Sequence, residues 1–190
     1  MLTLSMLSEE QICRLYEEKM RRDFPPNELK HLSSILSMAR NGDYDVIGAY
    51  DERGDFAAYA LMYAPADEEA VLLDYLAVDE PRRGQGIGTM FLSQLREYYK
   101  NRAEVLLIEC ERPKTAPDEL EARKRIRFYT QAGAVLTPVR IWLFGVEYSI
   151  MVLSCGFDMP QMDWAGQILK MYRKMLPKEL YETNVRLIRG

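Results

Sequence analysis

Six consecutive residues, Arg83-Gly84-Gln85-Gly86-Ile87-Gly88, stand between an apolar run and an amphipathic one. Three glycines in five positions cost backbone entropy that a helix start does not require. They make sense where a ligand must approach the main chain closely. The unbonded N–H groups of a helix's first turn, with the positive end of its dipole, offer a phosphate site there. Two common phosphate loops are excluded by spacing. A Walker loop needs Gly-Lys-Ser/Thr, and Gly88 passes directly to Thr89. The dinucleotide fingerprint would need a glycine at Thr89 or at Phe91.

Groups able to move protons come from elsewhere in the chain. Residues 104–111 read as a strand, with Val105, Leu107, Glu109 and Glu111 on one face and Leu106, Ile108 and Cys110 on the other. Two carboxylates on one face at a strand's C-terminal end can attract a cation and take a proton from it. Glu111 fits a strand running out into solvent almost as well; Glu109, flanked by Ile108 and Cys110, fits that less well. Asp74, inside the apolar run, is a third candidate base. Tyr129 shares a helical face with Ala122 and Ile126, where a phenol serves either as an acid or as a core aromatic. His31 is the single histidine and has no ligand-type residue at metal spacing, so it reads as a structural or surface residue. That removes the Ser-His and Cys-His nucleophile schemes.

The elements that must position these groups follow from hydrophobic pattern and breakers. Residues 2–7 alternate as a first strand. Ser8 with Gln11 makes a capping box for a helix burying Ile12, Leu15, Tyr16 and Met20. Phe24-Pro25-Pro26 ends it, and Asn27 is expected to cap a second helix with Leu29, Leu32, Ile35, Leu36 and Ala39 inward. A hairpin of 44–50 and 56–64 turns at Asp51-Glu52-Arg53-Gly54. The run 71–78 is too continuously apolar for an edge strand and stops at Asp79-Glu80-Pro81. Ile87, Phe91, Leu95 and Tyr98 mark the inner face of the next helix. The 104–111 strand then pairs in parallel with 71–78 across that helix. Thr115 to Asp118 opens a helix with Pro117 just inside its start, and Gly133 closes it. Residues 135–144 and 146–153 form a closing hairpin about Gly145. Beyond it, Ala165, Ile168, Leu169, Tyr172, Met175 and Leu176 make an apolar stripe on a helix that Pro177 ends. This stripe reads as core docking before it reads as a dimer contact.

Composition narrows the class. The 190 residues suit one domain, with 28% charged and 48% hydrophobic residues, ordinary for a globular protein. A net charge of −4 argues against a nucleic-acid footprint and is compatible with cationic substrates. No run suits a membrane span, and residues 1–7 lack the basic region of a signal peptide. Cys13, Cys110 and Cys155 form neither a disulfide framework nor a zinc pattern and fit a reducing cytoplasm.

Arg83, Gly86 and Gly88, preceded by Leu76-Ala77-Val78, spell an R/Q-x-x-G-x-G/A signature. Here the chain resembles the GNAT superfamily of acetyl-CoA-dependent N-acetyltransferases, bacterial members with a segment like 24–29 among them. Arg127-Phe128-Tyr129 with Gly133 resembles that family's second signature. Ala122 stands where an asparagine is common, which puts one cofactor contact in doubt, and Ala134 replaces an aromatic. The resemblance covers about residues 2–153. It implies an α/β (α+β) fold, a mixed and mostly antiparallel sheet flanked by helices, with a C-terminal helical extension. The expected division is residues 1–153 as the acetyltransferase domain and 154–190 as the extension packed on it.

The resemblance also implies roles. Acetyl-CoA is the acyl donor and no metal is needed. Backbone groups at Leu76, Ala77 and Val78 hydrogen-bond the pantetheine arm. The segment Arg83, Gly84, Gln85, Gly86, Ile87, Gly88 and Thr89 takes the pyrophosphate. Tyr129 gives its proton to the departing sulfur. The family uses no single fixed position for the base; the shared strand face makes Glu109, then Glu111, the residues expected to capture and deprotonate the amine, with Asp74 next. The charge pattern leads to an expected acceptor that is a small cationic amine or a peptide N-terminus, with neither nucleic acid nor membrane as partner and a monomer or homodimer as the assembly. Three other readings stand beside this one. They are a catalytically silent acyl-CoA sensor, a pure interaction module, and an acetyltransferase toxin acting on aminoacyl-tRNA, which would need a basic face.

Overall fold

Turn residues cut the chain into short elements, and the apolar residues between them decide what each packs against. The computed structural model describes residues 2–156 and 158–188; residues 1, 157, 189 and 190, which fall within the two expected divisions, lie outside the described residues. Its contacts group into two units, Met1–Glu68 with Leu73–Leu95, and Glu69–Leu72 with Arg96–Gly190.

In the first unit, β1 (Thr3–Met6) leads through Ser8 into α1 (Glu9–Leu15). The capping box forms: Gln11 N–H donates to Ser8 Oγ at 3.3 Å, and Ser8 N–H to Gln11 Oε1 at 2.8 Å. A π-helical turn (Tyr16–Met20) and α2 (Arg21–Asp23) continue the helix, with Ile12, Leu15 and Met20 buried. The π turn is absent from the sequence pattern; it brings Leu15 and Met20, five apart, onto the same buried side. After α3 (Leu32–Arg40) come β2 (Tyr44–Tyr50), β3 (Phe56–Tyr63) and β4 (Ala70–Val78), in the order β1-β2-β3-β4. The β1–β2 and β2–β3 ladders are antiparallel.

Two expectations are corrected here. Asn27 caps nothing; α3 begins five residues later, with His31 at its N-cap. Tyr75 is the reason. Its hydroxyl donates to Glu28 O at 2.7 Å and accepts Lys30 N–H at 2.9 Å, so these backbone groups are satisfied outside a helix. In α4 (Ile87–Tyr99), which begins in this unit, Tyr98 is exposed and Tyr99 fully buried. The buried positions Phe91, Leu92, Leu95 and Tyr99 centre the inner face about a quarter-turn from Ile87, leaving Ile87 and Tyr98 at its edge.

The second unit takes the first residues of β4, then β5 (Val105–Glu111), α5 (Glu119–Gln131), β6 (Val135–Leu143), β7 (Val146–Ser154), α6 (Trp164–Met175), α7 (Lys178–Asn184) and β8 (Val185–Leu187). Its strand order is β4-β5-β7-β6-β8. The β5–β7, β6–β7 and β6–β8 ladders are antiparallel. Phe144 and Gly145 both have positive φ, 46° and 91°, the two-residue turn whose twist suits a hairpin. The β6–β7 register shifts between Leu136 and Arg140, around Pro138, which has no N–H for the ladder. Thr137 fills in there, its hydroxyl donating to Ile150 O at 2.8 Å and accepting Val139 N–H at 3.2 Å. Asp118, not Pro117, forms the boundary of α5: its carboxylate accepts Glu121 N–H at 3.0 Å, and the proline stays outside. In the extension, Met171 joins Ile168 and Tyr172 in the buried face of α6, and β8 adds a strand to what reads in the sequence as helical.

Candidate active site

The first unit contributes the loop after β4. Leu76, Ala77 and Val78 end the strand half-buried, and a 3₁₀ turn, Glu80–Arg82, leads to the glycines. Gly84 and Gly86 have φ of +76° and +78°, and a Cβ built on either meets nothing within 4 Å. Their glycines are therefore required by backbone conformation, and the absence of side chains leaves the main chain open to a ligand. Gly84, Gln85, Gly86 and Thr89 are exposed, Ile87 and Gly88 half-buried. The first helical bond runs from Met90 N–H to Gly86 O at 3.1 Å, so the amides just before it belong to the positive end of α4. An exposed loop with bare glycine backbone at 84 and 86, on a helix N-terminus, fits a pyrophosphate.

Charged side chains brace that loop. Arg83 donates through Nε to Val78 O at 3.1 Å and pairs with Asp23 at 2.9 Å. Asp23, with its side chain 2% exposed, also accepts the Tyr59 hydroxyl at 2.9 Å and pairs with Arg22 at 3.1 Å. Lys19 holds Asp79 at 2.5 Å and Arg82 holds Asp51 at 2.6 Å. The signature arginine is thus already engaged in fixing the loop's shape. Asp74 is engaged too, accepting from Lys30 Nζ at 2.7 Å and from the Tyr44 hydroxyl. An ion-paired carboxylate is poorly placed for base duty, which counts against Asp74.

The second unit carries Tyr129, Glu109 and Glu111. Tyr129 is 7% exposed on the inner face of α5, edge-on to Phe128 with ring centroids 4.9 Å apart. Burial pushes its phenol well above the usual range; Cys110 adds to this and Arg125 opposes it. The phenol is therefore held as the acid. Buried Tyr59, Tyr75 and Tyr172 all use their hydroxyls in hydrogen bonds, whereas among the described residues nothing partners that of Tyr129. The Cys110 thiol, buried and 3.7 Å from Met151 Sδ, is pushed up to about 12 by desolvation. Strand alternation turns Glu109 away from Cys110. Its Oε2 accepts the Tyr172 hydroxyl at 2.8 Å. Glu111 pairs with Arg125 at 3.4 Å. Asp23 and Tyr172 lie 60 and 63 residues from their partners, and no local sequence pattern marks either.

The sequence profile of the acetyltransferase (GNAT) family matches residues 9–133, more than half of the chain and including both the glycine loop and Tyr129. The chain belongs to the GNAT family.

Among GNAT relatives, the chain is 30% identical over 115 residues to YjbC of Bacillus subtilis (strain 168), which bears the name of an acetyltransferase. That match takes in 59% of this chain and 52% of YjbC, so the chain spans about half the length of the curated relative it matches. Two solved GNAT-fold structures are similar. The spermidine N-acetyltransferase from Vibrio cholerae, in complex with CoA and spermine, has a TM-score of 0.63 at 10% identity, covering 80% of this chain and 95% of that one. The ribosomal-protein-S18-alanine N-acetyltransferase from Escherichia coli has a TM-score of 0.60 at 20% identity, covering 86% and 100%. At such identities the likeness is one of fold. Among the described residues no helix is long and apolar enough to cross a membrane, and no group of three or more His, Cys, Asp or Glu could hold a metal.

Proposed function

We propose that this chain transfers the acetyl group of acetyl-CoA to a primary amine, either a small cationic amine or a peptide N-terminus. The observation that carries the reading is Tyr129: a buried phenol with an uncommitted hydroxyl, kept protonated by its surroundings, in the family's second signature. In the reaction the amine nitrogen attacks the thioester carbonyl and the C–S bond breaks. Glu109 takes the proton from nitrogen, directly or through water, and Tyr129 gives its own to sulfur. The amides of Arg83–Thr89 hold the pyrophosphate, and backbone groups at Leu76, Ala77 and Val78 hold the pantetheine arm. The net charge of −4 and the carboxylates on β5 support a cationic acceptor. So do the polyamine named in one structural neighbour's complex and the alanine named in the other. In this reading residues 1–153 are catalytic and 154–190 an extension, and the three free cysteines support a reducing compartment such as the cytoplasm.

A two-stage experiment tests it. Acetyl-CoA at a hundred-fold excess over its dissociation constant stabilises the fold by about 2.7 kcal/mol. The expected melting shift is about 5–10 °C for a chain of this size. Gly86→Glu puts a side chain and a negative charge on the loop and removes the shift. Release of free CoA thiol is then followed with spermidine, other polyamines, amino acids, aminoglycosides and peptides. Turnover with any of these supports the reading; a full shift with no turnover on all of them favours the acyl-CoA sensor. A full shift in folded Gly86→Glu moves the phosphate site elsewhere.

A further inference from the structure

We infer that Tyr172 is the positioning residue for Glu109, so that helix α6 sets up the proposed base. This rests on the reading of Glu109 as the group that captures and deprotonates the amine. Tyr172 lies outside the segment matched by the family profile, residues 9–133. Its role is therefore one that family membership does not supply.

The geometry is specific. The Tyr172 hydroxyl donates to Glu109 Oε2 at 2.8 Å. The tyrosine is 4% exposed, next to fully buried Met171 and one helical turn from fully buried Ile168. Its ring therefore cannot swing away without uncovering that face of α6. Glu109 sits on β5 opposite Ile150 of β7, between fully buried Cys110 and almost fully buried Ile108. A glutamate side chain has three rotatable bonds. Fixing one carboxylate oxygen on a rigid phenol removes most of that freedom and aims the group. A phenolic donor also favours the ionised carboxylate, the form that attracts an ammonium.

Neighbouring charges on these strands are engaged in pairs of their own. On β5, Glu111 shares the face of Glu109 but is paired with Arg125 of α5. The Cys110 thiol stays neutral at ordinary pH because burial pushes it to about 12. On β7, Tyr148 lies opposite Glu111, and Glu147 is paired with Arg112 at 2.8 Å and Arg140 at 3.6 Å. From α6, Tyr172 reaches the Glu109 carboxylate itself.

Tyr172→Phe, Glu109→Gln and the double variant test the inference, with spermidine and alanine amide as the amines. Tyr172→Phe keeps the packing, the melting temperature within a few degrees, and the acetyl-CoA shift. It lowers kcat/KM for the amine about 10- to 100-fold, the size expected for one hydrogen bond to a charged group. The acid limb of its pH profile moves to higher pH. In the double variant the losses do not multiply, because both changes remove one function. A second readout needs no turnover. Glutamate side-chain carboxyls carrying ¹³C are titrated by NMR, with Glu109 assigned by its disappearance in Glu109→Gln. Its midpoint moves upward in Tyr172→Phe. If Tyr172→Phe fails to fold, Glu109→Asp replaces it, shortening the acid out of the phenol's reach while keeping its charge, with the same expected loss. An unmoved midpoint, or losses that multiply, overturns the positioning role and leaves the base reading intact. Full turnover in Glu109→Gln with the midpoint shift still present sinks the base reading. The Tyr172 contact is then only a fastening for α6, and the positioning role falls with it.

Discussion

Tyr129 differs from buried Tyr59, Tyr75 and Tyr172 in what its hydroxyl does. Tyr59 spends its own on Asp23, Tyr75 on the backbone of residues 28 and 30, and Tyr172 on Glu109. Removing such a hydroxyl takes a hydrogen bond from its partner and costs stability. Removing that of Tyr129 strands no partner among the described residues. Tyr129→Phe should therefore melt like the parent and bind acetyl-CoA as well, yet lose about 10²–10⁴ in turnover, the usual span for general acid–base catalysis. Its environment raises the phenol's pKa above the ordinary value, so the acid form persists through neutral pH. The pH–rate profile should accordingly show no alkaline limb from Tyr129 below about pH 10, the value of a free phenol. Unchanged turnover in the variant, measured with a confirmed amine, would return Tyr129 to plain core duty.

At the level of elements, the segment between α2 and α3 is held open by one side chain. Tyr75 donates to Glu28 O and accepts Lys30 N–H, while the Tyr16 hydroxyl donates to Lys30 O at 3.1 Å. Tyr75→Phe keeps the ring, 4.8 Å from that of Phe24, and removes both hydroxyl bonds. The expected cost is about 1–3 kcal/mol, the penalty for buried backbone groups left unpaired. Urea denaturation should show it as a lower midpoint at unchanged slope. Hydrogen exchange should show the Lys30 amide losing protection while β2 and β3 keep theirs. Uniform loss of protection across the first unit would instead mean that Tyr75 supports the core as a whole.

For the whole molecule, the buried thiols set an alkaline limit. Burial raises Cys110 from an ordinary 9.0 to about 12 and Cys155 from 9.0 to about 11. Both shifts are upward, so the stability they represent is complete below pH 9.0 and is lost as the pH rises toward about 11 and 12. The urea midpoint should fall between about pH 8 and about pH 10.5, and fall less steeply in Cys110→Ala, even though that variant starts lower. Equal slopes in the two proteins would mean that other groups set the limit.

Much of this molecule was legible in its residues because the relevant information is local. The Ser8–Gln11 cap, the Asp51–Gly54 turn, the turn at Gly145, and the strand, glycine loop and helix of residues 71–95 each depend on periodicity or turn chemistry within a few positions. The two signatures, read in order, pointed to the family that the profile match establishes. What the tertiary structure decided involves partners far apart in the chain. α3 starts late because a tyrosine 45 residues away takes its backbone groups. Tyr99 is buried instead of Tyr98 because packing set the centre of the helix face. Arg83 meets Asp23, and Tyr172 of α6 meets Glu109 of β5, through contacts between residues 60 and 63 positions apart. Backbone hydrogen bonding and hydrophobic periodicity are properties of a segment. Which side chain meets which carboxylate depends on strand register and helix docking, and those exist only once the chain has folded.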